Sequence, residues 1–289
     1  MAKINLEHVS YVYSKGTPYE VTALDDVSVE IEEGSITGII GHTGSGKSTF
    51  VQLLNGLEKP GEGRVLLDGK DIWENPKEIG KIRFRVGLVM QYPEYQLFEE
   101  TIRADIAFGP KNMGLDQKEI EERVGMAANF VGLDRELLDK SPFDLSGGQK
   151  RRAAIAGIIA MKPEVLVLDE PAAGLDPLGR DAIFQSLVNY RNQTGATVVI
   201  VSHSMEDMAR FCEQIIVMSH AKMVMKGTRG EVFSKADLLE KNGLDVPQIT
   251  GLMKLLGSRG IGVSDGIYTV EDAVTELSRI LSSLSSERS

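Results

Sequence analysis

Residues 35–49 read SITGII followed by GHTGSGKST, and this stretch decides the fold. SITGII is a short apolar run, the pattern of a strand buried within an α/β sheet. Gly41-His42-Thr43-Gly44-Ser45-Gly46-Lys47-Ser48 fits G-x-x-x-x-G-K-[ST]. Its glycines let the backbone wrap tightly, so that successive N–H groups converge on phosphate oxygens. The helix that follows, with Thr49 at its start, adds its N-terminal dipole. Lys47 brings a point charge to the β and γ phosphates, and the Ser48 hydroxyl is placed to ligate Mg²⁺. FVQLLNGL then shows helical spacing at Phe50, Leu53, Leu54 and Leu57 and ends near Pro60-Gly61. Strand, loop and helix occur in the order that phosphate binding demands, which an ordinary Gly-rich turn does not explain.

A second stretch, VLVLDEP at 165–171, supplies the other half of such a site. Four apolar residues make a central strand that delivers two adjacent carboxylates at its C-terminal edge, where open α/β sheets bind ligands. Asp169 is placed to hold Mg²⁺ through its water shell, and Glu170 to polarise an attacking water as a general base. Either carboxylate alone reads as a surface charge; the pair closing an apolar strand downstream of a phosphate loop does not.

Outward from these two strands the same alternation continues. Residues 4–13, 21–33, 64–72 and 84–90 read as strands, and the sheet resumes at TVVIVSH (197–203) and QIIVMSH (214–220). Strands alternating with helices imply a mostly parallel sheet. Residues 92–160 differ in character and read as a helical insertion, with Ile120, Val124, Ala127, Ala128 and Val131 on one helix face. The expected fold is therefore α/β: a phosphate-loop ATPase core with a mostly parallel sheet, an antiparallel β subdomain, a helical insertion and a small, mainly helical C-terminal extension. The core spans 1–228 and the extension 229–289. In the extension Pro247 opens one helix and Thr269 caps another, whose apolar residues are Val270, Val274, Leu277, Leu281 and Leu284. That face either packs on the core or serves as a dimer or partner surface. The tail SSLSSERS is expected to fray.

Composition narrows the classes further. Of 289 residues, 42% are hydrophobic, enough for a buried core, so a disordered chain is excluded. A net charge of −10 argues against a protein that coats nucleic acid. The single cysteine, Cys212, excludes an internal disulfide and reads as a small buried hydrophobe. No apolar stretch reaches the length of a membrane span, and the N-terminus lacks the apolar region of a signal peptide, so membrane association is expected through a partner. His8, His42 and His220 have no metal-ligand spacing with the cysteine. Trp73 lies in a polar loop and receives no role.

Leu145-Ser146-Gly147-Gly148-Gln149 is the most specific feature. A Ser-Gly-Gly turn opening the helix QKRRAAIAGIIAM makes a second anion site at a helix N-terminus. One γ phosphate could use both sites only if two chains face each other. On these residues the sequence resembles the ATP-binding cassette family over about residues 3–230. The resemblance implies that the phosphate loop of one subunit and Ser146, Gly147, Gly148 and Gln149 of the other sandwich each nucleotide. It further implies that Tyr13, or else Tyr11, stacks on adenine, and that Gln91 senses Mg²⁺ and the γ phosphate. Ala173-Gly174-Leu175-Asp176 matches the loop that crosses the dimer interface, and His203 the switch histidine. With Lys47, Glu170 and His203 all present, the site is expected to hydrolyse ATP with Mg²⁺.

QYPEYQLF (91–98) and DIAFGPKNMG (105–114) look like the ATPase subunits of energy-coupling-factor transporters, importers of vitamins and of cobalt or nickel. YSKGTPYEVTAL and GHTGSGKST look like the second of the two paired ATPases. The resemblance implies a groove at Pro93, Tyr95, Leu97 and Phe98 that receives a shared transmembrane subunit. It also implies a second cassette ATPase as partner (or another copy of this chain), small membrane substrate-binding subunits reached through the complex, no nucleic acid, and a place on the cytoplasmic face of the cell membrane. The alternatives are the ATPase of a binding-protein-dependent importer and a non-transport cassette ATPase. The 91–114 stretch argues against the first, and an uninterrupted cassette without a heptad run against the second.

Overall fold

A computed structural model describes residues 2–264 and 266–286. The elements in chain order are β1 (Ala2–Tyr13), β2 (Val21–Glu32), β3 (Ile36–Ile40), α1 (Lys47–Leu54), β4 (Glu62–Leu67), β5 (Lys70–Asp71), α2 (Ile79–Arg85), β6 (Val86–Val89), α3 (Ile102–Asn112), α4 (Gln117–Phe130), α5 (Gly147–Ile159), β7 (Val165–Asp169), α6 (Pro177–Thr194), β8 (Thr197–Val201), α7 (Met205–Phe211), β9 (Gln214–Ser219), β10 (Lys222–Thr228), α8 (Arg229–Phe233), α9 (Ala236–Lys241), α10 (Gln248–Ser258) and α11 (Val270–Ser286). A six-stranded sheet in the order β10-β9-β3-β8-β7-β6 is parallel except at β10, and a four-stranded sheet in the order β2-β1-β4-β5 is antiparallel.

Every residue of β3, β7 and β8 is buried, which is why these strands are apolar without interruption: both faces of the sheet are covered. Alternate residues serve opposite layers. Leu166, Leu168, Val198 and Ile200 pack with Ile106, Val124, Ile155 and Phe184 from the helical layer. Val165, Val167, Val199 and Val201 pack with Phe50 and Leu53 of α1 and with Ile4, Leu6 and Val29 of the antiparallel sheet. Each such side chain taken fully from water contributes about 1.5–3 kcal/mol before chain entropy is counted.

Several boundaries differ from the sequence reading. Residues 64–72 are not one strand, because Asp68 and Gly69 both take positive φ and turn the chain between β4 and β5. Residues 79–85 are helical, so the strand expected over 84–90 shortens to Val86–Val89. β10 was not anticipated; it returns antiparallel along β9 through a turn in which His220 and Ala221 have positive φ. Trp73 is not a free loop residue but packs against the antiparallel layer. Cys212 is buried, as expected. Ile120, Val124, Ala127, Ala128 and Val131 are all buried on one face.

The C-terminal residues fold as helices α8–α11, with no strand among those described. Pro247 stands at the cap of α10 rather than inside it, and Thr269 Oγ1 accepts the Asp272 N–H as the expected cap of α11. The apolar residues of α11 do not pack as a core face: Ala273 is buried and Leu277 packs beside Met253 and Ile267, whereas Val270, Val274 and Leu281 are exposed. The Leu284 side chain and residues 287–289 of the tail lie outside the described residues. Val232, Phe233, Leu239 and Leu244 belong to the main core, and Tyr268 donates from its hydroxyl to the Gly230 carbonyl, so the extension is anchored to the sheet.

Candidate active site

The phosphate loop turns between β3 and α1, where two glycines are fixed by close approach. A Cβ on Gly41 would lie 2.4 Å from the Met218 carbonyl oxygen, and one on Gly46, whose φ is +101°, would lie 2.2 Å from that of Ala23. Only glycine takes these positions without displacing backbone. The loop is thus pressed against β9 on one side and β2 on the other, which holds its N–H groups in place before any ligand arrives.

Lys47 is buried, and its Nζ donates to the carbonyls of Gly41 (2.6 Å) and His42 (3.0 Å), so the chain itself occupies the ammonium where a phosphate would. Burial lowers the Lys47 pKa, and Glu170 and Asp169 oppose that. A cleft of about 360 Å³ opens above the loop, lined by Tyr13, Val21, Thr22, Ala23, Thr43, Gly44, Gly46, Lys47, Ser48, Thr49, Gln91, Asp169, Glu170 and His203. Tyr13 hydrogen-bonds Thr49 Oγ1 through its hydroxyl at 3.1 Å, while Tyr11 stands edge-on behind it and donates to Glu58. Of the two aromatics, Tyr13 is the one that faces the cleft. His42 turns away, its ring 5.0 Å from that of His220, and Ser45 is fully buried.

Asp169 and Glu170 stand side by side at the end of β7 with different environments. Asp169 is buried and raised by that burial, and a hydrogen bond with the Ser48 side chain pulls it back. Glu170 has φ +51°, a left-handed backbone in a non-glycine residue, the kind of local strain that clusters at working sites. Burial, and then the Asp169 charge, push its pKa up to about 7. Its Oε1 is buried with no hydrogen-bond partner, and His203 Nε2 lies 3.4 Å from it without hydrogen-bond geometry. Burial and then the Lys47 charge hold the His203 pKa below its ordinary value, with Asp169 opposing them. A buried carboxylate with an open lone pair and a pKa near 7 has the properties of a general base.

Ser48, Gln91 and Asp169 offer oxygen ligands on the cleft wall: a hydroxyl, an amide carbonyl and a carboxylate. That chemistry suits a hard cation such as Mg²⁺, which keeps most of its waters and takes few protein ligands. Among the described residues no group of three or more His, Cys, Asp or Glu is placed to hold a metal.

The remaining predicted residues lie elsewhere. Ser146 caps α5 in a reciprocal pair with Gln149: the Ser146 N–H donates to Gln149 Oε1 at 2.9 Å, and the Gln149 N–H to Ser146 Oγ. Ser146, Gly147, Gly148 and Gln149 do not line this chain's cleft. Asp176 caps α6 by accepting the Gly179 N–H at 2.7 Å. A Cβ on Gly148 would lie 3.8 Å from Leu175, and Arg151 donates to the Ala173 carbonyl, so the turn at Ser146–Gln149 and the loop at Asp176 lie side by side.

Pro93 is buried in a single 3-10 turn, Tyr95 and Phe98 are exposed, and Leu97 packs partly on the core. Leu97 and Phe98 border a second cleft of about 400 Å³ with Phe84, Phe108, Gly157 and Met161; Pro93 and Tyr95 lie outside its lining. Two features here escaped the sequence reading. Glu94 pairs with Arg151 at 2.6 Å, both side chains largely buried. Asp105 accepts the Phe98 and Glu99 N–H groups on Oδ1, and its buried Oδ2 has no partner. The first joins residues 57 apart in sequence, and the second spans only seven.

Residues 24–173 match the family model described as ABC transporter. The energy-coupling factor transporter ATP-binding protein EcfA2 of Clostridium tetani is 51% identical over 278 residues, covering 96% of this chain and 96% of that protein. EcfA2 of Clostridium acetobutylicum is 50% identical over 281 residues, 97% of this chain and 98% of its own. Among solved structures, cbiO1 from Clostridium perfringens, described as part of the ABC transporter complex cbiONQ, superposes with a TM-score of 0.75 at 39% identity, over 88% of this chain and 99% of that one. The cassette MJ0796, in a dimeric post-hydrolysis state bound to ADP and Pi, gives 0.70 at 29% identity, over 78% of this chain and 98% of that one.

Proposed function

The chain belongs to the ABC transporter family, among the ATP-binding subunits of energy-coupling-factor transporters, and from that premise we propose how its residues hydrolyse ATP and pass on the work. It is an ATPase that serves a membrane transport complex, which sets aside the readings as a binding-protein-dependent importer or a non-transport ATPase. Among the described residues no helix is long and apolar enough to cross a membrane, so in this reading it attaches to the cytoplasmic face through a partner.

Adenine stacks on Tyr13, and Gly41 to Thr49 wrap the phosphates, with Lys47 leaving its two loop carbonyls for the β and γ oxygens. Ser48, Gln91 and Asp169 hold Mg²⁺, which when bound neutralises charge on those phosphates. Glu170 takes the proton of the attacking water at Oε1, and His203 steadies the γ phosphate from the other side. The observation that carries this reading is the open, buried Oε1 of Glu170, 3.4 Å from His203 and in the same cleft as Lys47.

The exposed Ser146–Gln149 turn serves a nucleotide on a second cassette subunit, because it lies outside its own chain's cleft. A sister ATPase makes that dimer; a second copy of this chain is the other arrangement. The cleft beside Leu97 and Phe98 receives a segment of the transmembrane subunit, with Pro93 and Tyr95 at its approach. The unpartnered Asp105 Oδ2 suits a donor on that segment. The cleft is lined by α5 itself at Ala153, Gly157 and Ile158, and the Glu94–Arg151 pair ties the loop after Gln91 to the same helix, so closure at the nucleotide moves the membrane partner. The exposed residues of α11 form a further partner surface. Uptake of vitamins or related micronutrients, with cobalt and nickel in the same class, is what this motion powers, by way of small membrane subunits that bind the substrate.

Affinity purification of the chain from detergent-solubilised membranes of its host tests the assignment. Recovery of a second cassette ATPase, one common membrane subunit and several small membrane proteins is expected. Recovery of two copies of this chain with a dedicated permease would overturn it.

A further inference from the structure

Helices α6 and α7 each begin at a loop that the proposed mechanism uses. α6 starts at Pro177, capped by Asp176, and α7 starts two residues after His203, capped by Ser204, whose Oγ accepts the Asp207 N–H at 3.2 Å. At the C-terminal end of α7 the two helices are firmly joined. Phe184 and Phe211 stack with ring centroids 4.7 Å apart, and Arg210 pairs with Asp181 at 2.8 Å.

At the loop end the contact is unfinished. Arg180 Nε and Asp207 Oδ2 face each other at 3.6 Å, and both atoms are buried without a hydrogen-bond partner. Asp207 is only 6% exposed, so its Oδ2 is largely cut off from water. A charge-assisted hydrogen bond between such groups settles at about 2.7–2.9 Å, and a buried carboxylate such as Asp207 left half-paired is costly. A small tilt of α7 about the finished far end would complete the bond. That tilt carries the residue immediately before the Ser204 cap, which is His203. The Asp207 charge is already felt at Glu170.

We propose that Asp207 is a positioning residue for the switch histidine, and that its bond to Arg180 is completed when a second subunit engages the loop at Asp176. The pair then reports occupancy of the dimer interface to His203, so that hydrolysis waits for closure. This rests on the assignment of Glu170 and His203 made above.

The test is steady-state ATPase activity of the assembled complex carrying Asp207→Asn, Arg180→Gln, both together, and Arg180→Lys. Each of the first two should lower kcat about tenfold with KM for ATP changed less than about twofold. The double variant should fall no further than the deeper single one, because the two act as a unit. Arg180→Lys should recover most of the rate. Unchanged kcat, multiplicative losses in the double variant, or a fall in kcat matched by loss of folded protein would each overturn the proposal. If Asp207→Asn does not fold, Arg180→Gln decides, since the Arg180 side chain is 40% exposed. Glu170→Gln is run alongside. Full turnover there overturns the site assignment and the role of the Asp207–Arg180 pair with it, whereas an inactive Glu170→Gln beside a normal Arg180→Gln overturns the role of the pair alone.

Discussion

Glu94 and Arg151 meet at 2.6 Å with side-chain exposures of 15% and 4%, which ties the loop after Gln91 to the helix that Ser146 opens. The Arg151 guanidinium, through its hydrogen bond and charge, pulls the Glu94 carboxyl below its ordinary range against the opposing effect of burial, the largest influence on it. Arg151 also donates to the Ala173 carbonyl, so one side chain joins three segments that the mechanism moves together.

Breaking that pair should therefore cost stability. Arg151→Met leaves the Glu94 charge buried and alone, and should destabilise the chain by about 3–5 kcal/mol. Glu94→Gln with Arg151→Met should recover a substantial part. Urea unfolding of the three proteins checks this; equal stability of Arg151→Met and wild type would contradict it.

Gly46→Ala should remove nucleotide binding while sparing the sheet. The added methyl meets the Ala23 carbonyl at 2.2 Å, and the backbone there has positive φ. The loop must shift, so ATP affinity measured by calorimetry should fall at least about tenfold. Native-like affinity would show that the loop is not held as described.

Asp105→Asn keeps an acceptor for the Phe98 and Glu99 N–H groups but removes the charge that faces no partner. The variant should melt within a few degrees of wild type, since burial, and then the Glu99 charge, raise the Asp105 pKa against its two backbone hydrogen bonds, yet capture less transmembrane subunit from solubilised membranes. Full capture would place the docking contact elsewhere.

The base of the sheet should be acid-sensitive through Glu164. The Arg85 guanidinium, and then Lys3, hold the Glu164 carboxyl down at about 2 from an ordinary 4.5. A depressed pKa gives stability that is present above 4.5 and lost as the pH falls toward 2. The gap in urea midpoint between wild type and Glu164→Gln should be widest above pH 5 and close toward pH 2. A gap independent of pH would contradict it.

The parts legible in sequence are those whose chemistry is local. The run 35–49 is strand, loop and helix because apolar period, glycines and cap lie within one segment, and VLVLD is apolar throughout because both its faces are covered. α2 was read past because Ile79 and Ile82 are only half-buried on a seven-residue helix. β10 was missed because an edge strand with one buried residue, Met225, shows no apolar run. The Glu94–Arg151 and Arg180–Asp207 pairs join distant segments, and nothing in either segment announces its partner. On α11 the apolar spacing was real, but Val270 and Val274 turn outward, and no single chain's sequence says what covers an exposed face.

The central claim is that hydrolysis turns on Glu170. Phosphate release and dimer mass should be measured together for Glu170→Gln with its partner ATPase. The account predicts that the variant still binds ATP, releases phosphate at least about a hundredfold more slowly, and accumulates as an ATP-bound dimer. Phosphate release at the wild-type rate would contradict it and move the general base to another residue of the cleft.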